Sequence, residues 1–150
     1  MKVDTMRRID YWAGVPLAFI LTLFHRLGRL FVPRRSVVPR KALFVELSEM
    51  GSAILADPAM RKMREAGAEL HFVIFKNNAA SLKLLGTVPE QNVFTIRADG
   101  LLPLLVDTLR FLRWCRRRGI DTVIDLELFS RYAALLTGFS GAPNRIGFHA

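Results

Sequence analysis

Cysteine occurs once in the 150 residues, at Cys115, so the chain closes no internal disulfide and fits a reducing compartment. Histidine is nearly as scarce. His25, His71 and His149 fall in separate stretches and, with a single thiol, compose no zinc set. Metal-free chemistry, with no bound cofactor, is the expectation. No G-x-G-x-x-G turn follows the first apolar run, and no lysine closes a glycine loop, so dinucleotide and P-loop sites lack their phosphate cradles. The spacing of Gly138-Phe139-Ser140-Gly141 fails the G-x-S-x-G nucleophile elbow. Neither an internal repeat nor a low-complexity tract is visible.

Acidic residues are the minority charge, 13 against 22 Lys and Arg, for a formal net charge of +9. Such an excess suits nucleic acid until it is located. Residues 1–41 hold 9 basic and 2 acidic residues, a net of +7, whereas 42–150 hold 13 and 11, a net of +2. The globular part is therefore close to balanced and carries no nucleic-acid recognition motif. The charge belongs to the N-terminus. At 51% hydrophobic residues and a mean hydropathy of +0.25, the chain is too apolar for disorder.

Residues 1–40 read as a basic apolar segment with its linker. Tyr11 to Phe24 carries no charge, yet as a helix it spans only about 21 Å, short of a bilayer's hydrocarbon core. Arg7 and Arg8 precede it, and Arg26, Arg29, Arg34, Arg35, Arg40 and Lys41 follow. Aromatics at Tyr11 and Trp12 and the flanking arginines suit an anionic membrane surface contacted through residues 7–41. A short spanning helix and an ordinary helix packed on protein are the competing readings. A cleaved signal peptide is disfavoured by Asp4 and Asp10 and by the lack of a small-residue cleavage site. Pro33 to Pro39 forms the linker.

From residue 41 to 150 the pattern alternates between strand and helix. Strands are expected at Lys41–Leu47, Glu69–Phe75, Asn92–Ile96, Asp121–Leu126 and Asn144–Phe148. Helices are expected over Gly51–Ala66, Ala79–Leu85, Leu101–Arg118 and Ser130–Thr137, with Gly67, Gly119 and Gly138 as stops. The first helix should bury Ile54, Leu55, Ala59, Met60 and Met63, and the long one Leu102, Leu105, Leu109 and Leu112. Arg116, Arg117 and Arg118 complement the dipole in its last turn. This order implies an α/β fold, a Rossmann-like parallel sheet with helices on both faces.

In such sheets, ligands gather beyond the carboxyl ends of the strands. That rule singles out Ser48–Ser52, Lys76–Asn78, Arg97–Gly100 and Glu127–Arg131, the last within the cluster from Asp125 to Arg131. Gly51 lets the backbone turn or approach a ligand beside a helix start. Ser48 or Ser52 serves either as ligand contact or as helix N-cap. Glu49 is a candidate proton acceptor from a sugar hydroxyl, or a solvated carboxylate favoured by the helix dipole. Glu127, Ser130 and Arg131 offer an acceptor, a hydroxyl and a cation, or a surface Glu127–Arg131 ion pair. Lys76 and Asn77 contact a ligand or simply form their turn. Asp57 faces the cleft, or has a surface or helix-capping role.

The segment KALFVELSEMGSAILADPAMRKMRE resembles the opening of glycosyltransferase family 9, the ADP-heptose:lipopolysaccharide heptosyltransferases. There, a strand runs into Ser-x-x-Gly-Asp and then a Leu-Pro-Ala-Leu-like helix. Here those positions read Ser48-Glu49-Met50-Gly51-Ser52 and Asp57-Pro58-Ala59-Met60. Ile120 to Phe148 resembles the family's Asp-x-Val-Ile-Asp-Leu-Gln strand, serine-containing helix and Arg-x-Gly-Phe strand. The resemblance implies the acceptor-side half of a GT-B fold, with a nucleotide-sugar donor bound by a C-terminal domain that this chain lacks. It implies inverting, metal-independent transfer to a lipid-linked glycan acceptor at the cytoplasmic face of the bacterial inner membrane. The family's base, the aspartate after the turn glycine, is Ser52 here, which leaves the role to Glu49 or another acid, or unfilled. A non-catalytic sugar- or partner-binding remnant is the alternative. The purified 150-residue chain is expected to transfer no sugar by itself, and turnover of a labelled nucleotide sugar would contradict this.

Overall fold

The computed structural model describes residues 16, 38–48, 50–128 and 130–147. The N-terminal segment read as membrane-touching lies, up to residue 37 and apart from Pro16, outside the described residues, and so does Glu49. The elements are β1 (Lys41–Val45), α1 (Met50–Glu65), β2 (Glu69–Phe75), α2 (Ala79–Leu85), β3 (Val93–Ile96), α3 (Leu101–Arg118), β4 (Thr122–Asp125), α4 (Arg131–Phe139) and β5 (Asn144–Ile146). Short 3-10 turns at Lys76–Asn78 and Glu90–Asn92 precede α2 and β3. The five strands are parallel, in the order β3-β2-β1-β4-β5.

Strand alternation divides the core in two. Ala42 and Phe44 of β1 pack with Phe72 and Ile74 beneath Ala53 and Met60 of α1 and Leu82 of α2. Leu43, Val45 and Leu47 point the other way, onto Phe111 and Cys115 of α3 and Ala133 and Leu136 of α4. Helices thus cover both faces of a parallel sheet, as the alternating sequence implies. Phe111 is fully buried. Truncating such a ring to alanine costs about 3–5 kcal/mol. At the amino edge of the sheet, Asp121 accepts from the backbone amides of Arg40, at 3.1 Å, and Lys41, at 2.9 Å, fixing where the chain enters β1.

Two helices are rotated from the faces their leucines imply. In α1, Met60 is buried and Met63 half-buried, but Ile54 and Leu55 are 57% and 84% exposed. In α3, Leu102, Leu105 and Leu109 face outward, while Asp107, Phe111 and Cys115 form the inner stripe. A charge-paired acid explains the second case. Arg97, just past β3, donates from Nε to Asp107 Oδ2 at 2.8 Å and from its terminal nitrogen to Oδ1 at 2.9 Å; the Arg97 backbone amide adds a third bond at 3.0 Å. With the carboxylate so satisfied, Asp107 can turn inward beside Phe111. Gly119 ends α3 in the left-handed region at φ 66°. Gly138, expected to stop α4, lies within it; that helix runs to Phe139, and the left-handed residue is Gly141. Asp57 accepts from the Thr87 hydroxyl and Arg61, tying α1 to the loop after α2.

The Arg97 hydrogen bonds hold the Asp107 carboxyl at about 2, below its ordinary 3.8. Its stabilisation is therefore present above about pH 4 and fades as pH falls toward 2. Asp107→Asn should lower stability in urea at neutral pH by about 2 kcal/mol and flatten that acid limb. Equal slopes between about pH 4 and 2 in both proteins would contradict this role for the pair.

Candidate functional site

The strand order creates one switch point. From β1 the chain moves outward through β2 to β3, and α3 then returns it to β4 on the opposite side of β1. In open parallel sheets the crevice that takes ligands lies at such a point, between the loops leaving the carboxyl ends of β1 and β4. The turn after β1 and the corner after β4 both lie there, as the sequence reading required.

A single carboxylate oxygen joins them. Glu127 Oε1 accepts from the Leu47 amide at 2.8 Å, the Ser48 amide at 2.8 Å and the Ser48 hydroxyl at 2.7 Å. From the other flank, Asn78 Nδ2 donates to the carbonyls of Leu47, at 3.0 Å, and Ser48, at 3.1 Å. Glu127 is itself placed by a 3.1 Å bond from its amide to Asp125 Oδ1. Asp125 in turn packs against Gly147: a Cβ there would stand 2.9 Å from that of Asp125. The glycine of Arg145-Ile146-Gly147 is thus explained by close approach, and it supports the crevice indirectly.

This arrangement constrains the chemistry. Because the Ser48 hydroxyl gives its hydrogen to Glu127, it can only accept from a ligand. Glu127 Oε2 makes no hydrogen bond among the described residues, so it too offers an acceptor. Two acceptors side by side suit a donor-rich ligand such as a polyol. Gly51 is exposed, in the first turn of α1, and a Cβ built on it meets nothing within 4 Å. The turn does not need glycine for its own conformation, and the residue leaves open space over the helix start. Ser52 is half-buried one residue further on.

The remaining candidates spread along the same edge. Ser130 caps α4, its hydroxyl accepting from the Ala133 amide at 3.2 Å. Arg131, the first residue of α4, is exposed, and Glu127 bonds the β1 loop rather than this arginine. Lys76 and Asn77 are exposed on the turn after β2; the residue that reaches the crevice loop is their neighbour Asn78. Sequence reasoning included Asn78 in the strand-end turn without giving it a role, and missed Asp125 as a brace and Glu46. Glu46 is 1% exposed at the end of β1, on the α1 side by alternation with Ala42 and Phe44. A carboxylate continuing an apolar strand face was the available signal.

Two reactive-looking groups lie elsewhere. Burial pushes the Cys115 thiol up to about 12, which removes it as a nucleophile near neutral pH. His71 is wholly buried, edge-on to Trp114 at 5.4 Å, and burial lowers its pKa. Among the described residues no group of three or more His, Cys, Asp or Glu could hold a metal, and no helix is long and apolar enough to cross a membrane.

Sheet order, two-sided helical cover and a switch-point crevice define a Rossmann-like α/β domain of the kind that forms half of a GT-B glycosyltransferase. A solved structure of the same fold is the glycosyl transferase family 9 protein from Veillonella parvula. It matches 73% of this chain with a TM-score of 0.60 at 20% identity. The match covers 31% of that protein, so the chain spans about a third of its length. No family model and no curated protein matches the sequence.

Glu127→Ala should leave the Leu47 and Ser48 amides without their acceptor, costing about 1–3 kcal/mol. Hydrogen exchange at those two amides should accelerate more than at mid-strand Leu43. Unchanged exchange would remove Glu127 as the clamp.

Proposed function

We propose that this chain is the acceptor-side domain of an inverting, metal-independent GT-B glycosyltransferase resembling the heptosyltransferases. Its acceptor is a lipid-linked glycan of lipopolysaccharide or a related envelope polysaccharide. Its donor is a nucleotide sugar held by a second, C-terminal domain. The work is placed at the cytoplasmic face of the bacterial inner membrane, with residues 7–41 touching anionic lipid.

The observation that carries this reading is the pairing of Ser48 and Glu127 at the switch point of a fold shared with a family 9 transferase. Both present acceptor atoms where a sugar's hydroxyl hydrogens would point, and the open face of Gly51 leaves room for the ring. Ser52, Lys76, Asn77, Ser130 and Arg131 line the wider rim of that subsite. Inverting transfer needs a base on the acceptor hydroxyl as it attacks the anomeric carbon. Ser52 cannot supply one unaided, so the role falls to Glu49, adjacent to Ser48. The leaving diphosphate would be met by the donor domain's amides and cations. Ser52 also favours a second reading, a sugar-binding domain that has kept its pocket and lost its base.

Calorimetric titration separates these from other readings of the fold. A lipopolysaccharide core oligosaccharide should bind the chain, and Ser48→Ala or Glu127→Ala should weaken it roughly tenfold. Binding of a nucleotide sugar in preference to the oligosaccharide would sink the acceptor-side assignment. In a polypeptide that carries a donor domain, Glu49→Gln should abolish transfer while sparing oligosaccharide affinity. Transfer undiminished by that change would remove Glu49 as the base.

A further inference from the structure

The outer face of α3 carries an apolar surface that the fold does not use. Leu102, Leu105, Val106 and Leu109 are 76%, 58%, 42% and 68% exposed. At 3.6 residues per turn they share a stripe that continues through the exposed Arg113, Arg116 and Arg117. Arg110, Arg113 and Arg117, with Phe94 and Trp114, line an open cleft of about 300 Å³ along its lower half. The only acid of the helix, Asp107, is turned inward and engaged by Arg97. Arg113, Arg116 and Arg117 make no ion pair among the described residues. One stripe therefore runs from bare leucines to unneutralised arginines.

We infer that this stripe docks on an anionic lipid bilayer, leucines in the acyl boundary and arginines among the headgroup phosphates. Charge selects this occupant. The chain's own apolar N-terminal segment carries a net +7 over residues 1–41, and a second copy would bring the same arginines, so both meet like charge. A bilayer rich in phosphatidylglycerol answers both halves of the stripe. The exposed leucines span about 10 Å of the helix axis, two turns of apolar surface at its amino end. Arginine stems reach upward while their guanidinium groups stay at the phosphates. Because α3 starts just past the carboxyl end of β3, its leucine end lies on the same edge of the sheet as the Ser48–Glu127 crevice. Docking there would turn that edge toward the membrane. Nothing in this surface depends on the transferase reading.

The test uses the whole 150-residue chain with Leu105→Cys and an environment-sensitive fluorophore; the native Cys115 is buried and escapes labelling. On vesicles of mixed phosphatidylglycerol and phosphatidylcholine the emission should shift to the blue, and on phosphatidylcholine alone it should not. Arg113→Glu with Arg117→Glu should raise the lipid needed for half-maximal shift about tenfold or more. A label that stays in water while the protein sediments with vesicles would assign binding to the N-terminal segment and overturn the inference. So would an equal response to both lipids, or a blue shift without lipid, which would mark contact with a second copy.

Discussion

The crevice depends on one carboxylate oxygen with three donors. Glu127 Oε1 links the end of β4 to the end of β1, strands that are neighbours in the sheet but whose linked residues lie about eighty positions apart in the chain. Parallel strands at a switch point send their loops apart, which opens a binding site and leaves backbone amides in need of acceptors. Here a side chain from one loop satisfies the amides of the other. The loop conformation and the orientation of the Ser48 hydroxyl are thereby set by the same group. Asn78 from β2's side and Asp125 from below complete the brace, so the turn after β1 is held from both neighbouring strands.

Rigid bracing of this kind has a functional meaning. A sugar-binding surface must present acceptors and donors in fixed positions, because each hydroxyl it orders gives up water hydrogen bonds of nearly equal strength. Under the proposed reading, the Ser48 hydroxyl, oriented by Glu127, supplies such a fixed acceptor. On the far face of the sheet, Arg97 and Asp107 play a comparable part for α3. Their bidentate pair, with the packing of Phe111 and Cys115, goes with a helix rotation that leaves leucines at the surface and an acid in the interior.

Strand–helix alternation made the architecture legible: β2, α2 and α3 begin and end where the residue pattern places them, and the other elements differ by two residues or fewer within the described part. The faces of the helices were less legible. Leucine periodicity in α3 is real, but Asp107 pairs with the half-exposed Arg97 just past β3, and no single-helix pattern contains that information. The site shows the same division. Geometry at strand ends pointed to Ser48, Gly51 and Glu127, yet the choice between a Glu127–Arg131 pair and a Glu127–Ser48 clamp required knowing which strand lies beside β4. Asn78 lay within the turn that strand-end geometry marked, but the 3-10 turn after β2 decides which of its two asparagines turns inward.

The most direct measurement is a crystal structure of the chain soaked with a core oligosaccharide. Sugar hydroxyls should lie within hydrogen-bond reach of the Ser48 hydroxyl and Glu127 Oε2, with the ring over Gly51. Sugar density at the amino edge of the sheet, near Asp121, with an empty crevice between β1 and β4, would contradict the account.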